Sequence, residues 1–262
     1  VEGTPDIRTS WSSAAEELRA VVAEERSVLL IEEDIYSVLP DTSVPHHYDK
    51  RASLYDLFVS TRLYNFVMWG TSPSDYVQFA HQALNSSTDG RFLDAGSGSL
   101  LFTASTYVSS HRQIIAFDQS LAMLRRARQR LIKLCGRVPE HIRLLQADLS
   151  DLPFRRNSFR TVLCLNVLHQ FGDATALLSS FKELLSDEGN LFLTSLISNN
   201  RTIGDWYLKA LYRAGEFERP RNGPELRDLF NHTFHHRMNY HEKGNMAFVT
   251  TATSDETGLA RA

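Results

Sequence analysis

Residues 91–100 read RFLDAGSGSL. An apolar run leads into an acid, Asp94, and two glycines follow one residue apart, Gly96 and Gly98. The pattern predicts a buried strand that ends in a tight turn and opens into a helix. The glycines let the backbone turn sharply and let a ligand come close to the main chain. Amides at the start of the following helix suit an anionic or polar group. Spacing excludes two phosphate-binding turns. A dinucleotide fingerprint requires glycine where Leu101 stands, and a P-loop requires a Gly-Lys-Ser/Thr ending that is absent here. Asp94 beside the turn repels a pyrophosphate and favours an ammonium group.

Outward from this stretch the chain alternates. Strand-like runs are RFLDAG, QIIAFD, IRLLQAD, FRTVLCLN and NLFLTSL, with helix-like runs at 100–109, 121–134 and 174–185 between them. Strand and helix in alternation predict a doubly wound, Rossmann-like α/β fold with a mostly parallel sheet. FHHRMNYHEKGNMAFVTTAT adds two antiparallel strands at the C-terminal end. The expected sheet then has seven strands. Right-handed crossovers place the carboxyl ends of the parallel strands on one edge, where ligands of such sheets bind. Asp94, Asp118 and Asp148 end three successive strands on that edge. An acid at the second strand end accepts hydrogen bonds from ribose hydroxyls in dinucleotide folds. Each acid alone could be a helix cap. Jointly they imply a ligand with an amine, a ribose and an adenine, but no phosphate.

That ligand is S-adenosylmethionine, and the sequence resembles the class I S-adenosylmethionine-dependent methyltransferases. The resemblance rests on LDAGSGS at 93–99, AFDQSLAMLRRAR at 116–128, QADLSDLPFRRNSF at 146–159, VLCLNVLHQF at 162–171 and LLSDEGNLFLTSL at 184–196. It is greatest toward the ubiquinone- and menaquinone-pathway branch, whose entry segment HYDKRASLYDLF at 47–58 resembles. The resemblance implies that Asp94, Ala95, Gly96, Ser97, Gly98 and Ser99 hold the methionine part. It implies Asp118 on the ribose with Gln119 and Met123 near the adenosine, Asp148 and Leu149 at the adenine, and Asn166 and Val167 beside the cofactor. Tyr48 or Tyr55 is expected to close over it from the entry segment. Ser99 stands where the family often has a third glycine, and DEGN at 187–190 replaces a frequent Pro-Gly-Gly turn. The Asn/Asp-Pro-Pro-Tyr/Phe signature of amino methylation is absent after the fourth strand.

The resemblance implies methyl transfer to oxygen or carbon, less so nitrogen, of a small acceptor. The motifs equally suit a same-fold enzyme using the bound cofactor for cyclisation; a non-catalytic binding protein is the other alternative, and the intact Asp94, Asp118 and Asp148 argue against it. Catalytic candidates are His169, as a general base after the fourth strand, and Tyr55, as an orienting group. The histidines at 232, 235, 236 and 241 lack the spacing of a zinc site.

The remaining chain frames this centre. Residues 11–26 predict a helix capped by Ser12 or Ser13. SVLLIEEDIYSVLP at 27–40 suits a strand or a short helix. Residues 48–84, rich in aromatics, predict two helices broken near 70–75. Residues 199–223 predict an aromatic lid insertion. The expected division is an N-terminal helical extension and lid over 1–85 and a cofactor-binding domain over 86–255.

The formal net charge of −3 disfavours nucleic acid as a partner. The basic cluster at 125–130 reads as a solvated helix face. Two cysteines are too few for a disulfide framework, and no apolar run approaches a membrane span. A cytoplasmic protein, a small-molecule acceptor and no membrane are expected, with a homodimer possible through the N-terminal helix.

Overall fold

The computed structural model describes residues 7–40, 68–199, 203–215, 218–235 and 238–251. Helix α1 (Ile7–Arg19) leads to a hairpin, β1 (Leu29–Glu32) and β2 (Ile35–Ser37). Then come α2 (Pro73–Asn85), β3 (Phe92–Ala95), α3 (Ala104–Val108), β4 (Ile114–Asp118), α4 (Leu121–Cys135), β5 (Ile142–Gln146) and β6 (Phe159–Leu165). A 3-10 turn (Leu168–Gln170), α5 (Ala174–Leu184), β7 (Leu185–Leu196), α6 (Ile203–Arg213), α7 (Gly223–Phe234), β8 (Asn239–Lys243) and β9 (Met246–Thr250) complete it.

The described strands form one nine-stranded sheet, ordered β1-β2-β5-β4-β3-β6-β7-β9-β8. Strands β2 and β5, β5 and β4, β4 and β3, β3 and β6, and β6 and β7 pair in parallel. The β8–β9 hairpin joins β7 antiparallel. The sheet therefore has nine strands, not seven. The two extra strands come from 29–37, where the sequence pattern left strand and helix open. Their edge position explains the ambiguity. Leu29 and Leu30 of β1 are exposed while Ile35 and Tyr36 of β2 are buried, so no clean alternation marks the segment.

The central strands are buried on both faces, as helix-covered parallel strands require. One apolar layer gathers Leu93, Phe117, Val162 and Leu193 with α1, α5 and α7; the other gathers Phe92, Ala116, Leu163 and Phe192 with α2, α3 and α4. Each fully buried Leu or Phe contributes about 1.5–3 kcal/mol relative to exposure. Helix α4 shows how the sequence builds an element. Ser120 Oγ caps it by accepting the Met123 N–H at 3.2 Å, Leu124, Ala127 and Leu131 face the sheet, and Gly136 ends it at φ 81°.

Two local expectations change. Ser12 and Ser13 lie inside α1, which starts at Ile7 and cannot be capped by them. The basic cluster of α4 is not simply solvated. Arg125 pairs with Glu32, and Arg128 with Glu33 and Asp34, so the helix grips the β1–β2 hairpin. The Arg125 partner holds the Glu32 carboxyl below its usual range. Of the two helices expected over 48–84, α2 is the second; the first falls outside the described residues.

Candidate functional site

The carboxyl ends of β3, β4, β5 and β6 meet on one edge of the sheet, and the loops there enclose a cleft. It consists of two adjoining cavities that share Gly96, Gly98, Met123, Leu165 and Asn166. Asp94, Ser97, Ser99 and Phe102 line one side; Asp118, Gln119, Leu149 and Val167 line the other.

The glycine turn builds the cleft's floor. Gly96 has φ 70°, and a Cβ there would stand 2.7 Å from Val167 Cγ2. Gly98 has φ 54°, with nothing within 4 Å of a Cβ position. The first glycine is required by packing; above the second lies open space. The Gly98 N–H donates to Asp118 Oδ2 at 2.9 Å, and the Ser97 N–H to the Phe117 carbonyl at 2.9 Å. The turn is thus bolted to the end of β4. On its other side the Arg130 guanidinium of α4 donates to the Ser99 carbonyl. Ser97 Oγ is a buried hydroxyl with no partner among the described residues, a state that suits a ligand atom.

The acids differ in their surroundings. Asp94 is 2% exposed and accepts the Tyr107 hydroxyl at 2.8 Å. Burial pushes its pKa up to about 7, the Tyr107 hydrogen bond opposes this, and the Asp118 charge adds to it. Asp118 accepts two main-chain amides, from Gly98 and, at 2.8 Å, from Ser120. A carboxylate offers about four acceptor sites, so it can still take ribose hydroxyls. Asp148 accepts the Ser150 N–H at 2.8 Å and its hydroxyl at 2.7 Å, and Gln119 Nε2 at 3.3 Å. It lies behind the described lining, where Ala147 and Leu149 of its own segment face the cavity.

An ammonium fits the buried carboxylate of Asp94, a diol fits Asp118, and a flat apolar group fits between Met123, Leu149, Val167 and Phe171. Comparison with known proteins gives the same answer. Residues 93–191 match the family model described as a methyltransferase domain. The chain carries this domain and resembles the class I S-adenosylmethionine-dependent methyltransferases. Over 177 residues it is 28% identical to the ubiquinone/menaquinone biosynthesis C-methyltransferase UbiE of Coxiella burnetii, a match covering 67% of this chain and 66% of the relative. The chain thus spans slightly under two thirds of that relative's length. Its fold resembles phosphoethanolamine N-methyltransferase 2 of Haemonchus contortus, with TM-score 0.59, 16% identity, and coverage of 74% of this chain and 44% of that one. It also resembles the YcgJ protein of Bacillus subtilis, with TM-score 0.52, 20% identity, and coverage of 64% and 70%.

In the described residues the cleft gathers Asp94, Gly96, Ser97, Gly98, Ser99, Asp118, Gln119, Met123, Leu149, Asn166 and Val167. Ala95 sits fully buried in β3 beneath them. His169 is not brought there. It is 7% exposed, outside the described lining of either cavity, and its Nδ1 accepts the Leu196 N–H at 3.5 Å. Burial pulls its pKa down to about 3. Among the described residues His169 packs the 3-10 turn against β7, an arrangement that lends the general-base reading no support. Tyr48 and Tyr55 lie outside the described residues. Tyr207 on α6 is partly exposed, with its ring 5.8 Å from Trp69.

Among the described residues no three His, Cys, Asp or Glu side chains converge as metal ligands, and no helix is long and apolar enough to cross a membrane. His235 caps α7 at φ 53°, and His241 stacks on Phe248 at 4.8 Å. Sequence reasoning missed Phe102, Tyr107, Gln170 and Phe171. Only Tyr107 carried a signal, a polar-tipped aromatic on a helix that must face the core.

Proposed function

We propose that this protein transfers a methyl group from S-adenosylmethionine to carbon or oxygen of a small, apolar or aromatic molecule. One observation carries the acceptor class. Asp94 and Asp118 are the only acids or bases among the described residues lining the cleft, and the remaining lining is mostly apolar or neutral. Leu101, Phe102, Leu165 and Phe171 suit an uncharged acceptor. The name of the C-methyltransferase relatives supports carbon.

Bound S-adenosylmethionine supplies an electrophilic methyl on a sulfonium. The chain's part is binding, orientation and exclusion of water. Asp94 takes the amine as a carboxylate, Asp118 takes the ribose hydroxyls, and the turn at Gly98 gives main chain to the methionine part. Asp148, through Gln119, fixes the wall at the adenine. No described imidazole reaches the cleft, so the residues favour an acceptor that is already nucleophilic, such as an acidified phenol or an electron-rich ring carbon. The test is incubation with methyl-labelled S-adenosylmethionine and a panel of phenols and hydroquinones. Label in an acceptor, matched by equal S-adenosylhomocysteine, is expected. An acceptor converted to a product of unchanged mass, with S-adenosylmethionine left intact, would contradict methyl transfer and favour cyclising chemistry.

A further inference from the structure

Asn166 ends β6 with φ 57°, in the left-handed region, and lines both cavities of the cleft. Asparagine enters that region more readily than most residues, yet at a cost that neighbours must offset. One side chain acts on it twice. Thr194 of β7 accepts the Asn166 N–H at 2.9 Å and returns its hydroxyl proton to Asn166 Oδ1 at 3.0 Å. The Asn166 carbonyl accepts Gln170 Nε2 at 3.4 Å, so the residue's main chain is held from both sides. Tyr76 of α2, 1% exposed, stacks on Phe102, which lines the same cavity as Asn166, with ring centroids 4.7 Å apart.

We propose that Thr194 is a positioning residue that locks Asn166 in its left-handed conformation and so sets the cleft wall against which S-adenosylmethionine binds. Thr194 does not line the described cleft and falls outside the 93–191 span of the family match. The lock is therefore supplied by the distal half of β7 rather than by the cofactor motifs. The proposal rests on the cleft being the S-adenosylmethionine site.

The test is calorimetric titration of the full chain with S-adenosylhomocysteine, with folding checked by circular dichroism. Thr194→Val removes the hydroxyl that holds Asn166 and is expected to weaken binding by about tenfold, the effect of one neutral hydrogen bond. Thr194→Ser, which keeps the hydroxyl, is expected to bind as wild type. Asn166→Gly adopts the left-handed conformation without a lock. In that background Thr194→Val is expected to have no further effect. Wild-type affinity in Thr194→Val, or an equal loss from Thr194→Val with and without Asn166→Gly, would overturn the proposal and leave the cofactor site standing. No binding by the wild-type chain would overturn the cofactor site itself and the proposal with it.

Discussion

Asp94 is a buried carboxyl that the fold makes hard to ionise and that the proposed ammonium partner would make easy. Its folded pKa, about 7, stands above the ~3.9 of an unfolded chain. The stability this shift contributes is fully present below the unfolded value and is lost as pH rises through about 7. Asp94→Asn removes the titration while keeping an acceptor for Tyr107. Its melting temperature is expected to rise relative to wild type as pH goes from 4 to 8 in thermal scans, while S-adenosylhomocysteine binding weakens. His169 carries the opposite sign. Its folded pKa, about 3, is below the ~6.5 of the unfolded chain, so its contribution holds above ~6.5 and is lost as pH falls toward 3. His169→Gln is expected to be less stable than wild type, by a margin that shrinks on acidification. Its turnover loss should fall far short of the roughly 10²–10⁴-fold of a missing general base, as steady-state rates would show. For Asp118→Ala, a loss of about 1.5–3 kcal/mol in cofactor binding is expected by calorimetry, the range for a hydrogen bond to a charged group.

At the scale of elements, the turn between β3 and α3 separates folding from binding within three residues. A Cβ at Gly96 would stand 2.7 Å from Val167, whereas one at Gly98 meets nothing. Gly96→Ala is expected to lower the melting temperature sharply. Gly98→Ala is expected to fold, at a cost of about 1–2 kcal/mol for a left-handed non-glycine residue, and to lose cofactor binding because the methyl fills the cradle. Equal melting temperatures for the two variants would contradict this division. The elements also show where the sequence was legible. LDAGSGS, AFDQS and the strands around them announced themselves because a buried parallel strand is a continuous apolar run and its end needs a turn residue. The β1–β2 hairpin did not, because an edge strand half open to solvent follows no strict period. Its partner was equally hidden: Arg125 and Arg128 look like a solvated helix face until Glu32, Glu33 and Asp34 are brought opposite them.

For the whole molecule, nine strands place one edge of acids and glycines beneath neutral and apolar walls. The proposed cofactor half of that site was readable because its candidate residues are polar groups at strand ends, each adjacent in sequence to its motif. The supporting half was not. Tyr76, Tyr107 and Thr194 reach the site through packing between elements far apart in the chain, which no local pattern records. His169 shows the converse, a residue placed by sequence beside the chemistry and turned by the fold against β7. The most direct measurement is calorimetric titration of the purified chain with S-adenosylmethionine and S-adenosylhomocysteine, with NAD as control. Micromolar binding of the first two and none of NAD is predicted. Binding of NAD, or of none of the three, would contradict the assignment of the Asp94–Gly98 turn as a cofactor cradle.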